Sequence, residues 1–139
     1  MTTRLSFKKI VNDNEQAIAR ALADGRNIEA YLLYHALFES LLRLFLKAED
    51  DKIRFTDLIL RYKDTLKLRG QAKPVFVDEL TKFNQRRNRI IHKLWQQGYT
   101  ATNENTKDAV AGAGLIYGLF IEWIETFDSG IAEAGFENN

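Results

Sequence analysis

The sequence predicts an all-α domain, an up-and-down bundle of about five helices, and three observations carry that reading. Apolar residues recur at spacings of three and four along most of the chain. A single proline in 139 residues leaves long helices uninterrupted. No stretch alternates apolar and polar residues as a half-buried strand does. The length suits one domain over residues 1–139, with a helical core at about 27–127.

The first helix is expected over about Thr3–Ala23, with sparse apolar positions at Leu5, Ile10, Ala17, Ile18 and Leu22 and a stop at Asp24-Gly25. Asn27 reads as the cap of a second helix to about Ala48. Its stripe is Ile28, Leu32, His35, Glu39, Leu42 and Phe45, widened by Tyr31, Phe38 and Leu46. Glu49-Asp50-Asp51 then reads as a surface loop. Thr56 reads as the cap of a third helix to about Leu68, closed by Arg69-Gly70. Pro74 suits the first turn of a fourth helix, which runs to about Gln97. That helix carries the stripe Phe76, Leu80, Phe83, Arg87, Ile90/Ile91 and Leu94. Gly98–Thr106 reads as a polar loop. A fifth helix follows from about Thr106 to Asp128, with a fraying tail to Asn139. This last helix is apolar on most sides between Val110 and Trp123, so it is expected at the bundle centre or partly in a homodimer contact. Trp95, Trp123 and the tyrosines read as core.

Composition narrows the chemistry. With no cysteine there is no disulfide scaffold, thiol nucleophile or cysteine-ligated metal. Two histidines make a histidine-rich metal site improbable, and neither a metal nor a cofactor is expected. Twenty basic and nineteen acidic residues balance to +1, so any nucleic-acid contact must come from a local basic patch. The longest apolar run, Ala109–Ile121, falls short of the roughly 20 residues a membrane span needs. No signal-peptide pattern opens the chain, and a soluble cytoplasmic protein without membrane contact is the expectation.

Two stripes are broken by residues that do not belong in a hydrophobic face. His35 and Glu39 lie four apart on the second helix, and Arg87 takes a core position on the fourth. Buried charge is costly unless paired, so a Glu39–Arg87 pair across two adjacent helices is the expected arrangement. His35 either extends such a site or hydrogen-bonds within the bundle. Asn88 and His92, four apart, share a helical face, whereas Arg87 and His92 point about 140° apart and would flank one groove. Arg86, Arg89 and Lys93 form a basic stripe, either a solvated face or a phosphate-attracting rim.

The segment Arg87-Asn88-Arg89-Ile90-Ile91-His92 has the form R-N-x-x-x-H late in a helix of a small all-α chain. In this it resembles the HEPN family, the higher-eukaryote and prokaryote nucleotide-binding domains, whose signature is R-x(4–6)-H. The second-helix run Tyr34–Arg43 is also similar, with Glu39 at the position where a polar residue supports the motif. The resemblance implies a metal-independent endoribonuclease with Arg87 and His92 catalytic, Asn88 and Glu39 supporting, and Arg86, Arg89 and Lys93 binding RNA phosphates. It implies a composite site across a homodimer, RNA or nucleotide as ligand, and roles among toxins, anti-phage defence and RNA processing. In the toxin branch a cognate antitoxin or nucleotidyltransferase partner modifies a tyrosine two residues beyond the histidine; here that position is Leu94.

The chemistry is coherent on its own terms. RNA is cleaved when its 2′-hydroxyl attacks the adjacent phosphate, which needs a base, an acid and fixed positive charge. Histidine exchanges protons near neutrality, and arginine holds phosphate oxygens with a planar fork. Two symmetry-related copies of His92 would divide the acid and base roles. Two other readings stand beside this one. The same fold can bind nucleotide, RNA or protein without turnover. Alternatively, an unrelated helical interaction protein would keep Arg87–Glu39 as a structural ion pair.

Overall fold

A computed structural model describes residues 6–71 and 75–136. The described residues form the helices α1 (Phe7–Ala23), α2 (Asn27–Leu46), α3 (Phe55–Leu68), α4 (Val77–Gln97), α5 (Tyr99–Asn105), α6 (Lys107–Glu125) and α7 (Gly130–Glu133). The five longer helices lie where the apolar periodicity predicts them. Leu5, Pro74 and the last three residues lie outside the described residues.

The centre belongs to α2, which packs against every other helix. Its residues Tyr31, Leu37, Phe38, Leu41 and Leu42 are fully buried. Phe38 gathers the aromatic core, with Phe83 of α4 at 4.8 Å and Tyr117 and Phe120 of α6 at 5.7 and 6.1 Å between ring centroids. Such tilted and edge-on contacts suit the ring quadrupoles. The expectation of a central last helix is thereby corrected. α6 buries Val110, Phe120, Ile121 and Ile124 but leaves Leu115 66% and Leu119 43% exposed on its outer side. Gly114 does make the close approach its missing side chain allows, since a Cβ there would meet the Tyr34 hydroxyl of α2 at 2.9 Å.

Several ends differ from their sequence-based expectations. Ser6 caps α1, accepting from the Lys9 N–H at 3.3 Å. The turn at Asp24-Gly25 forms as expected, with Gly25 at φ +71°. Asn27 does not cap its own helix: Asn103 of α5 does, accepting from the Ile28 N–H at 3.1 Å. Asn103 also donates to the Gly25 carbonyl at 2.7 Å, and Asn27 donates back to the Asn103 carbonyl at 3.1 Å. This lattice, with Thr102 buried beneath it, turns the predicted polar loop into α5. Gly98, at φ +83°, makes the corner between α4 and α5. Thr56 lies inside α3, which begins at Phe55 without a side-chain cap. The tail does not fray as far as Phe136: Ile131 and Phe136 are fully buried. Among the described residues no helix is long and apolar enough to cross a membrane.

Candidate functional site

α4 carries every residue of the R-N-x-x-x-H segment, and its geometry follows from which side is buried. Leu80, Phe83, Asn84 and Ile90 face the core, with Leu94 half-buried. Arg87 falls inside that arc, as the sequence predicts, and is half-buried. Its guanidinium escapes sideways, Nη1 donating to Asn88 Oδ1 at 3.1 Å. At about 100° per residue, Arg87, Ile91, Trp95, Asn88 and His92 follow one another around the helix from the core edge to the outer crest. The strip of surface from Arg87 to His92 spans about 140° of the helix, and Asn88 on it accepts from Arg87. Ile91, His92, Trp95 and Asn88 are all exposed along it.

His92 is held by its own helix. The Trp95 Nε1–H donates to His92 Nδ1 at 3.3 Å, and the rings meet edge-on at 5.0 Å. The Gln96 side-chain amide lies 3.1 Å from Nε2. These partners, three and four residues on, occupy the positions where helical side chains meet. They are the neighbours of His92 that sequence reasoning missed, although the spacing was legible. Asn88, expected to support the motif, accepts from Arg87. Trp95 is not core: it is 73% exposed, because its position on α4 lies outside the arc packed on α2 and α3.

The expected Glu39–Arg87 pair is not what forms. Glu39 pairs with Arg43, one turn on, at 3.4 Å. Arg43 is fixed in turn by donating to the carbonyls of Asp50 and Ile53 at 2.8 and 2.7 Å, so Glu39 serves the α2–α3 loop. His35 takes the place the pair was to fill. Its ring lies against Phe55 at 4.3 Å between centroids, and its Nε2 sits 3.2 Å from Asn84 Oδ1. Burial pushes the His35 pKa below the usual imidazole value. The Asn84 hydrogen bond opposes this, the Arg87 charge adds to it, and the Glu39 charge works against it. His35 is thus a hydrogen-bonded residue inside the bundle that feels the Arg87 charge.

The basic stripe turns away from this strip. Arg86, Arg89 and Lys93 line a groove of about 460 Å³ between α4 and the wall made by α5 and the start of α6. Ile90 forms its apolar floor, and Asn105 and Asp108 stand opposite the cations. Tyr31, fully buried, donates its hydroxyl to the Phe83 carbonyl at 2.8 Å. Burial raises the Tyr31 pKa strongly, against a lowering by the Arg86 and Arg89 charges. Among the described residues no set of histidine and carboxylate side chains converges as metal ligands would.

No family model, curated protein or solved structure matches this chain.

Proposed function

We propose that this chain is a HEPN-like RNA-cleaving protein, its five longer helices forming an up-and-down bundle, that acts as a homodimer through the exposed strip of α4. One observation carries the reading: a half-buried arginine, an asparagine and a histidine share a strip that the chain's own fold leaves open, beside the exposed apolar side chains of Ile91 and Trp95. An uncovered tryptophan next to a proton-exchanging side chain suits a surface that a second copy covers.

In the proposed reaction the guanidinium of Arg87 grips the scissile phosphate and offsets its developing charge. One His92 takes the proton of the attacking 2′-hydroxyl. The new O2′–P bond forms as the P–O5′ bond breaks, and a second His92, from the partner subunit, protonates the departing 5′-oxygen. The products are a 2′,3′-cyclic phosphate and a 5′-hydroxyl. Asn88 holds Arg87 toward the outer crest. Control by tyrosine modification has no counterpart at Leu94.

A second reading keeps the RNA-binding surface without turnover. The observation favouring it is that both ring nitrogens of His92 already have partners, Trp95 and Gln96. The acid role requires the Gln96 amide to yield Nε2 to RNA; the base role requires in addition that the Trp95 N–H leave Nδ1, because an imidazole accepting there carries its proton on Nε2. The Ile91→Glu variant tests the dimeric site. Sedimentation should show the native chain as a dimer and the variant as a folded monomer that no longer cleaves RNA. A native chain that stays monomeric at micromolar concentration would refute the composite site.

A further inference from the structure

We propose that the groove between α4 and the α5–α6 wall binds a phosphate ester, at a site separate from the Arg87–His92 strip. Three cations, Arg86, Arg89 and Lys93, converge on it from consecutive turns of α4 against the single carboxylate of Asp108. A solvated basic face would splay its charges into water or pair them along the helix. Here the three line one concavity, and none of them takes part in an ion pair among the described residues. Anionic ligands of this size fit: about 460 Å³ is within the range of small-molecule sites, roughly 300–1,000 Å³.

The opposite wall, the end of α5 and the first turn of α6, is polar, with Thr102, Asn105 and Thr106 on it. The rest of the groove is suited to the organic part of such a ligand. Ile90 and Ala109 give an apolar floor. Asn105, Gln97 and Asp108 supply acceptors and donors for hydroxyl or amino groups. A phosphate on Arg86, Arg89 and Lys93 with a sugar or base toward Asp108 satisfies both halves. The ligand is either a free nucleotide or one residue of an RNA strand, since both present the same phosphate ester.

The groove is distinct from the motif strip by position. The Ile90 side of the helix separates it from Arg87, and the nearest motif residue, His92, lies about 60° round the helix from Arg89. Phosphate-ester binding here requires no cleavage at the strip, so the two stand or fall separately.

The experiment is calorimetric titration of the full chain at low salt with three probes: inorganic phosphate, adenosine 5′-monophosphate, and a six-nucleotide RNA methylated at every 2′-oxygen so that it cannot be cleaved. The native chain should bind, and Arg89→Ala/Lys93→Ala should weaken binding at least tenfold while melting normally. Removing two exposed cations from α3, Arg61→Ala/Lys67→Ala, should change it less than twofold. A hexanucleotide bound tenfold more tightly than the mononucleotide identifies an RNA strand as the source. A mononucleotide bound as tightly or more so identifies a free nucleotide. The proposal is overturned if none of the three binds, or if the α4 and α3 variants lose affinity equally.

Discussion

Asn103 fixes three elements that the sequence presents as unrelated, so Asn103→Ala should be costly for a polar, partly exposed side chain. Its Oδ1 caps α2 through the Ile28 N–H, and its Nδ2 satisfies the Gly25 carbonyl. Loss of an N-cap costs about 0.5–2 kcal/mol, and loss of the second hydrogen bond about 0.5–1.5 kcal/mol. Because water reaches the turn, the sum should settle at about 1–3 kcal/mol. A chain of 139 residues has an unfolding entropy of about 0.3 kcal/mol/K near its midpoint. The melting temperature should therefore fall by roughly 3–10 °C. Asn103→Asp keeps the acceptor, places a negative charge at the α2 N-terminus and loses only the donor, so it should fall by less than half as much. Melts followed by far-UV circular dichroism compare the three proteins. An alanine variant that melts with the native chain, or an aspartate variant that melts below the alanine one, would refute the cap.

Three further outcomes follow from the same contacts. Phe136→Ala should cost about 3–5 kcal/mol in urea unfolding, because the ring is fully buried; a cost below about 1 kcal/mol would mean a frayed tail after all. Glu39→Gln should cost less than about 1 kcal/mol, since its pair with Arg43 leaves the carboxylate side chain 38% exposed; a loss of about 3–5 kcal/mol would indicate the buried Arg87 partner that the sequence suggested. His35 has a folded pKa below its unfolded value of about 6.5, so the unfolded chain binds the proton more readily. Its contribution is complete above that value and is lost as pH falls through it toward the folded pKa. The melting temperature of the native chain should thus drop more steeply than that of His35→Gln between pH 7.5 and 5.5, and parallel pH profiles would contradict the assignment.

How much of this was legible depended on whether a residue's partner lay within its own helix. Periodicity located the five longer helices because each has one buried arc, and Arg87 was visible as the intruder in that of α4. The Asn103 cap was not legible: it joins residues 75 apart, and a run of polar residues without apolar spacing looks like a loop until its partners are known. The Glu39–Arg87 pairing failed because Glu39 had a nearer cation one turn away, Arg43. Trp95 was misplaced because a hydrophobic residue reads as buried unless the helix's neighbours are known, and its place on α4 lies outside the packed arc. The basic stripe was legible as a stripe, but only the placement of α5 and the start of α6 beside it made it a groove.

Incubating labelled RNA with the purified chain in EDTA, beside Arg87→Ala and His92→Ala, tests the central claim most directly. The native chain alone should cut, leaving 2′,3′-cyclic phosphate and 5′-hydroxyl ends, with both variants folded and at least a hundredfold slower. Cleavage that persists undiminished in folded His92→Ala, or intact RNA across several substrates with a folded native dimer, would contradict it.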